Sequence, residues 1–318
     1  MSILKQPEIV KNPCLRMLVC VQLCAVSVGC TTLSDSGQTV PGIVVVQSDD
    51  SPAFAVVTNE ITKKWKQEIE VYRLKDDLDL TGEIQQKVQY SNKQIVVAVG
   101  LPAALITRKL SGKKVVFCQV FNYEDYDLIT SRMKGVSAIP PVVQQFQAWK
   151  KLDPSLTRVG VITGKNLHGL LQEAIAAAKD NQITLSHVEV GSDLEMLYAF
   201  KRLSPSVQAL WLIPDNRVLS RKILLDLLSA AYRQGKQVLV FGPQLLPLGG
   251  IISVESDYAD IANQVLARVG SALAENTTTI SGAGILPLTK LKIKINLALV
   301  KRFGLTLPQE FREAIYAS

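Results

Sequence analysis

Histidine is nearly missing from this 318-residue chain: only His168 and His187 occur, far apart and in different elements. Neither has a second ligand at metal-binding spacing, which argues against a zinc site. Aromatic residues make up just 6% of the chain, and no block of basic residues is interleaved with them. A nucleic-acid surface of the usual kind is therefore not expected. There is no P-loop, no G-x-S-x-G elbow and no G-x-G-x-x-G following a strand. The S-G-A-G at Ser281–Gly284 opens no helix and reads as a turn. No apolar run reaches the roughly 20 residues that a membrane-spanning helix needs. Cofactor chemistry has no signature here, and none is expected.

Against these absences, 47% of residues are hydrophobic and 20% charged, enough for a substantial core with one or two domains. The formal net charge is +7, of which +2 lies in the first 29 residues, and the surplus elsewhere is dispersed. Lys5, Lys11 and Arg16 precede the 12-residue apolar run Met17–Val28, the layout of an export signal over residues 1–29. The run ends V-S-V-G-C, placing Gly29 at a cleavage position and Cys30 as a residue to be lipidated. An ordinary secretory signal or a short N-terminal anchor are the alternatives. Thr31, where an aspartate is absent, suits a lipoprotein sent on to the outer membrane. Residues 30–41, rich in Ser, Thr, Gly and Asp, read as a flexible tether. Of the five cysteines, Cys14, Cys20 and Cys24 fall in the signal. Cys118 is then left without a partner if Cys30 carries lipid, and it reads as a core residue.

From residue 42 the chain alternates strands and helices. Gly42–Gln47, Ile69–Leu74, Ile95–Gly100 and Val115–Val120 read as strands, with helices over Pro52–Trp65, Gly82–Tyr90 and Leu101–Leu110 between them. The polar stretch Phe121–Gly135 interrupts the rhythm, and an extended piece, Val136–Ile139, leads to Pro140-Pro141. A second series follows, with strands at Arg158–Thr163, Thr184–Val190, Ala209–Ile213 and Gln237–Phe241. The fold class this predicts is α/β: two Rossmann-like lobes with parallel sheets joined by a hinge. Lobe 1 spans residues 42–135, lobe 2 spans 136–252, and residues 253–318 cross back to complete lobe 1. In the last part, Ile251–Val254 reads as a strand, Ser256 as the cap of a long helix, and Leu291–Ile295 as a final strand.

Ligands of open α/β sheets bind at the carboxyl ends of the strands. Gln47, Ser48, Gly100, Leu101, Phe121, Asn122, Tyr123, Thr163, Lys165, Asp215, Asn216 and Gln244 all lie there. Phe121 and Tyr123 offer apolar contact, and the others polar groups, to a small ligand between the lobes. Asp215 and Asn216 also suit a helix N-cap before Leu219–Ala231, so that a structural role stands beside the binding role. Asp49, Asp50, Glu124 and Asp125 are clustered carboxylates, but no catalytic motif accompanies them, and an enzyme is not expected.

Five segments resemble one family. VGLPAAL (Val99–Leu105), VVFCQV (Val115–Val120), LDPSLTRVGVITG (Leu152–Gly164), LIPDNRV (Leu212–Val218) and INLALVKRFGLTLP (Ile295–Pro308) run in the order of the TrpX-like ABC-transporter substrate-binding proteins. The resemblance implies the type I periplasmic-binding fold, lobes that close over a small solute, and delivery to an inner-membrane permease. It implies that Asp215, matching the family's aspartate, holds a ligand ammonium. The chain departs from the family at Leu101, where Ser or Thr is usual. It departs again at Asn122-Tyr123-Glu124, where the family has aspartate–proline, and at Gly164-Lys165-Asn166-Leu167-His168. A carboxylate-binding hydroxyl is thereby lost, and Lys165 offers a cation to an anionic ligand instead. The sequence thus points to an exported solute-binding lipoprotein of an ABC-type uptake system, anchored to the membrane by lipid. The alternative is an orphan sensor or envelope interaction protein of the same fold.

Overall fold

The computed structural model describes residues 42–74, 78–275 and 277–317. The export signal, Cys30 and the tether lie outside the described residues.

Two separate six-stranded sheets carry the fold. The first contains β1 (Ile43–Gln47), β2 (Ile69–Arg73), β3 (Ile95–Val99), β4 (Lys114–Cys118), β5 (Met133–Val136) and β11 (Ile285–Leu286), in the order β11-β5-β4-β3-β1-β2. The second contains β6 (Arg158–Thr163), β7 (Thr184–Glu189), β8 (Ala209–Trp211), β9 (Gln237–Val240), β10 (Ile252–Ser256) and β12 (Leu291–Ile295), in the order β12-β10-β9-β8-β6-β7. All pairings are parallel except β10 with β12. Strands such as IVVVQ and IVVAV are buried along their whole length because helices cover both faces.

In the first lobe, α1 (Pro52–Lys64) and α8 (Tyr258–Ala274) pack on one face, while α2 (Leu78–Tyr90) and α3 (Leu101–Thr107) pack on the other. In the second lobe, α4 (Val142–Leu152), α5 (His168–Asp180) and α9 (Leu297–Arg302) face α6 (Asp193–Leu203) and α7 (Arg221–Arg233) across the sheet. The two buried indoles of the second lobe are each hydrogen-bonded: Trp149 Nε1 donates to Gln237 Oε1 at 2.9 Å, and Trp211 Nε1 to Gln145 Oε1 at 3.0 Å.

Four sequence expectations need correction. The chain after residue 252 does not simply complete lobe 1. β10 pairs with β9 and β12, and Ile252, Val254, Ile295, Leu299 and Val300 join the second core, so only α8 and β11 return to the first lobe. Phe121–Gly135 is not wholly irregular, since it holds a 3-10 turn at Tyr123–Tyr126 and most of β5. The helix after β8 starts at Arg221, capped by Ser220 Oγ, rather than at Asp215 or Asn216. The cap of α8 is Asp257, whose carboxylate accepts from Ala259 N at 2.8 Å, rather than Ser256.

The chain therefore passes between lobes three times, at 137–141, at Asp257 and at 287–290. Ser256 Oγ donates to Ala138 O at 3.0 Å and ties the first two crossings. The third is gripped by Asp260, whose buried carboxylate accepts from Thr289 N (2.7 Å), Thr289 Oγ1 (2.8 Å) and Lys290 N (2.9 Å). Burial pushes its pKa upward, but these bonds outweigh it and hold the carboxyl below its ordinary value.

Candidate functional site

The strand ends of the first lobe are built from β1, β3 and β4. Ser48 is largely buried and its hydroxyl is committed: it donates to Val99 O at 2.8 Å and accepts from Ala103 N at 3.0 Å, fastening β1 to β3 and α3. Gly100 takes φ +90°, and a Cβ there would lie 2.5 Å from Ser48 Oγ. Only glycine fits this close approach. Leu101 then opens α3 with its side chain against the first core. Gln47 is fully buried, with Nε2 donating to Asp49 O at 2.6 Å and Oε1 lacking a partner.

Beyond β4 the chain reaches across to the other lobe. Phe121 packs against the second-lobe core, while Tyr123 packs against the first. Burial, reinforced by Glu124, pushes the Tyr123 phenol up to about 12. Glu124 accepts from His168 N and Gly169 N, both at 3.1 Å, and so caps α5 from the opposite lobe. A carboxylate there also complements the helix dipole.

In the second lobe, Thr163 is fully buried; its Oγ1 donates to Gly164 O and lies 2.8 Å from His187 Nε2. Asp215 is almost wholly buried and has both oxygens engaged. Oδ2 accepts from Gly164 N and Arg217 Nη2, each at 2.8 Å, and Oδ1 accepts from Arg217 Nε at 2.8 Å. Arg217 also donates through Nη1 to Lys165 O (2.8 Å) and, across the interface, to Asp125 Oδ2 (2.6 Å). Asp125 accepts further from Asn166 Nδ2 at 2.9 Å and Asn122 Nδ2 at 3.2 Å. Burial opposes its ionisation, yet Asn166, Arg217 and Asn122 together hold its pKa below the ordinary value. The bonds to Asp215, outweighing burial, raise that of Arg217.

The structure thus brings Asn122, Lys165 and Asp215 to one inter-lobe network, in which Lys165 contributes its carbonyl. Asn216 and Gln244 are exposed and form no hydrogen bond among the described residues. Ser48, Gly100 and Thr163 shape the loops. Arg217 was missed by the sequence reading, although it lies two residues from Asp215.

Two inter-lobe cavities flank the first crossing. One, of about 250 Å³, is lined by Phe121, Tyr123, Leu167, Leu170, Glu173 and Pro287 among others. The other, of about 240 Å³, sits on the carboxyl ends of β8, β9 and β10. Its lining includes Gln119, Pro140, Ile213, Phe241, Glu255 and Tyr258, none of which the sequence reading singled out. Gln119 in the otherwise apolar VVFCQV was the one available signal. It adopts φ +57°, and its Nε2 is buried without a partner. Among the described residues no group of three or more His, Cys, Asp or Glu is placed to hold a metal.

Two α/β lobes, three crossings and facing strand ends define a two-lobed binding protein with the type I periplasmic layout. The chain belongs to the family of ABC transporter substrate binding proteins, whose profile matches residues 60–311. It is similar in structure to an ABC domain from Streptococcus pneumonia in complex with L-Trp: 17% identity, 87% of this chain and 99% of that one covered, TM-score 0.60. It is also similar to a substrate binding protein with adhesive properties from Clostridium difficile, in its ligand-free, open form. There the identity is 16%, the coverage 86% and 98%, and the TM-score 0.63. A periplasmic ribose ABC transporter protein from Conexibacter woesei matches at 9% identity, covering 86% of this chain and 97% of that one, with TM-score 0.53. No curated protein matches the chain in sequence. Among the described residues no helix is long and apolar enough to cross a membrane.

Proposed function

We propose that this protein is the solute-binding lipoprotein of an ABC-type uptake system, held at the membrane through lipid on Cys30, with a small solute bound between its lobes. The observation that carries this reading is the pair of cavities between the lobes beside the crossings, one of them on the carboxyl ends of β8, β9 and β10. Solute contacts to both lobes would favour the closed arrangement, and a hinge motion would release it to a permease. The L-Trp held by the pneumococcal relative makes amino acids the natural first class to try. Asp215 would serve such a solute poorly as it stands, because Arg217 already neutralises it. Lys165 differs: only its carbonyl is engaged in the network, and its exposed ammonium has no partner among the described residues.

A second reading is a sensor or envelope interaction protein of the same fold. It is favoured by the bonds from Arg217 to Asp125 and from Glu124 to α5, which join the lobes through the chain's own side chains. Mass spectrometry of molecules released on denaturing the purified protein tests the proposal. A stoichiometric small solute recovered unchanged supports it. Protein that releases nothing and binds no member of a broad solute library overturns it. Cys30→Ala should abolish the lipid mass increment and move the protein to the soluble fraction; unchanged membrane association would remove the lipid anchor.

A further inference from the structure

The cavity over β8, β9 and β10 carries unspent polar groups in its wall, whereas Asp125, Asp215 and Arg217 nearby are committed to one another. Gln145, which also lines it, donates to Pro140 O at 2.8 Å and accepts from Trp211, so neither end of its amide is free. Ser256 is bonded to Ala138 O. By contrast, Glu255 forms neither a hydrogen bond nor a close ion pair among the described residues, and the Tyr258 hydroxyl forms no hydrogen bond. Lys292, directly across from Glu255 in the β10–β12 register, approaches Asp257 instead, at 4.0 Å. The Gln119 amide nitrogen has no partner either.

The remaining walls are apolar: Ile213, Pro214 and Leu239, with the rings of Phe241, Trp211 and Tyr258. No lysine or arginine lines the cavity, so its single formal charge is the Glu255 carboxylate. An anionic occupant would meet that carboxylate with no cation in the lining to offset it. A cation would meet a carboxylate, which attracts it, in a wall that includes three aromatic side chains. The volume of about 240 Å³ lies below the roughly 300–1,000 Å³ of ordinary ligand pockets, which sets the size as small.

Resting on the solute-binding reading above, we infer that this cavity selects a small organic amine with an apolar body and no carboxylate, its ammonium set against Glu255. The burial that raises the Glu255 pKa, despite Lys292 and Lys294 nearby, is relieved electrostatically when an ammonium arrives. Burial, followed by Glu255's charge, likewise raises that of Tyr258.

Matched probe series test this by calorimetry on the full exported chain: isopentylamine and phenethylamine, the corresponding acids isovalerate and 3-phenylpropionate, and the amino acids leucine and phenylalanine. The expected result is that an amine binds at least tenfold more tightly than its acid or amino acid. Glu255→Gln should weaken the amine at least tenfold. Thermal unfolding of each variant verifies folding, and Tyr258→Phe provides a further probe of the same wall. Preference for an acid or amino acid, or amine affinity untouched by Glu255→Gln, overturns the inference. If another solute co-purifies and still binds the Glu255→Gln variant, the amine chemistry falls while the solute-binding reading stands. If no probe binds and nothing co-purifies, both fall.

Discussion

Arg217 of the second lobe donates to Asp125 of the first at 2.6 Å, while its other face grips Asp215 at two points of 2.8 Å. One guanidinium thus orders a buried carboxylate and binds the two lobes together. Its planar fork makes this possible, and a lysine could not repeat it. Arg217→Ala leaves Asp215, which is 1% exposed, without its cation, and should cost about 3 kcal/mol. Asp125→Asn removes the inter-lobe charge, between side chains 23% and 20% exposed, together with one of the acceptors for Asn122, Asn166 and Arg217, and should cost about 1 kcal/mol. Urea unfolding measures both. Small-angle scattering should show a more open average shape for Asp125→Asn; an unchanged profile would mean the pair does not restrain the lobes.

Acid sensitivity follows from the same carboxylates. Asp125 and Asp260 both have folded-state pKa values held below the ordinary one, so each contributes stability that is fully present above its unfolded value of about 3.9. That contribution is lost as pH falls from there through the depressed folded values. Melting temperature should therefore drop below about pH 4, and Asp260→Asn should flatten the drop. A melting curve of equal steepness in both proteins would count against the role given to Asp260.

Gly100→Ala should destabilise the first lobe by about 1–3 kcal/mol, from the positive φ together with a Cβ only 2.5 Å from Ser48 Oγ and 2.8 Å from the Phe54 ring. The double variant Ser48→Ala, Gly100→Ala should recover part of that loss if the hydroxyl clash contributes. Chemical denaturation of the set separates strain from collision.

Cys118 sits in the middle of the first core, and burial pushes its thiol up to about 12. A thiol reagent at pH 8 should leave it unmodified in the folded protein and label it fully in urea. Rapid labelling without denaturant would show that this part of the sheet opens readily.

Much of the architecture could be read because runs such as IVVVQ, IVVAV and RVGVIT combine β-branched residues with continuous burial. Strand β5, Met133–Val136, was not legible as a strand: lysine and glycine interrupt it. Its glycine has a packing reason visible only in three dimensions, since a Cβ at Gly135 would lie 2.3 Å from the Phe117 ring. The lobe to which Leu291–Ile295 belongs depends on pairing with a strand 35 or more residues earlier, which local periodicity does not encode. The polar cluster was half visible. Asp215 was found at its strand end, but its partner Arg217 gains meaning only through Asp125, 92 residues away. Glu255 was hidden because the strand reads as ending at Val254 and Ser256 as a helix cap, which leaves it in the turn between, whereas β10 runs on to Ser256.

Asp260 belongs to the helix that leads back into the first lobe, yet it clasps Thr289 and Lys290 on the way out. The outgoing segment is thus pinned like an axle in its bearing, and cannot slide when the halves swing. Any gape between them then bends the chain at Ser137–Pro141, at Asp257 and where Lys290 meets Leu291, so stiffening substitutions there should govern how wide the jaws part.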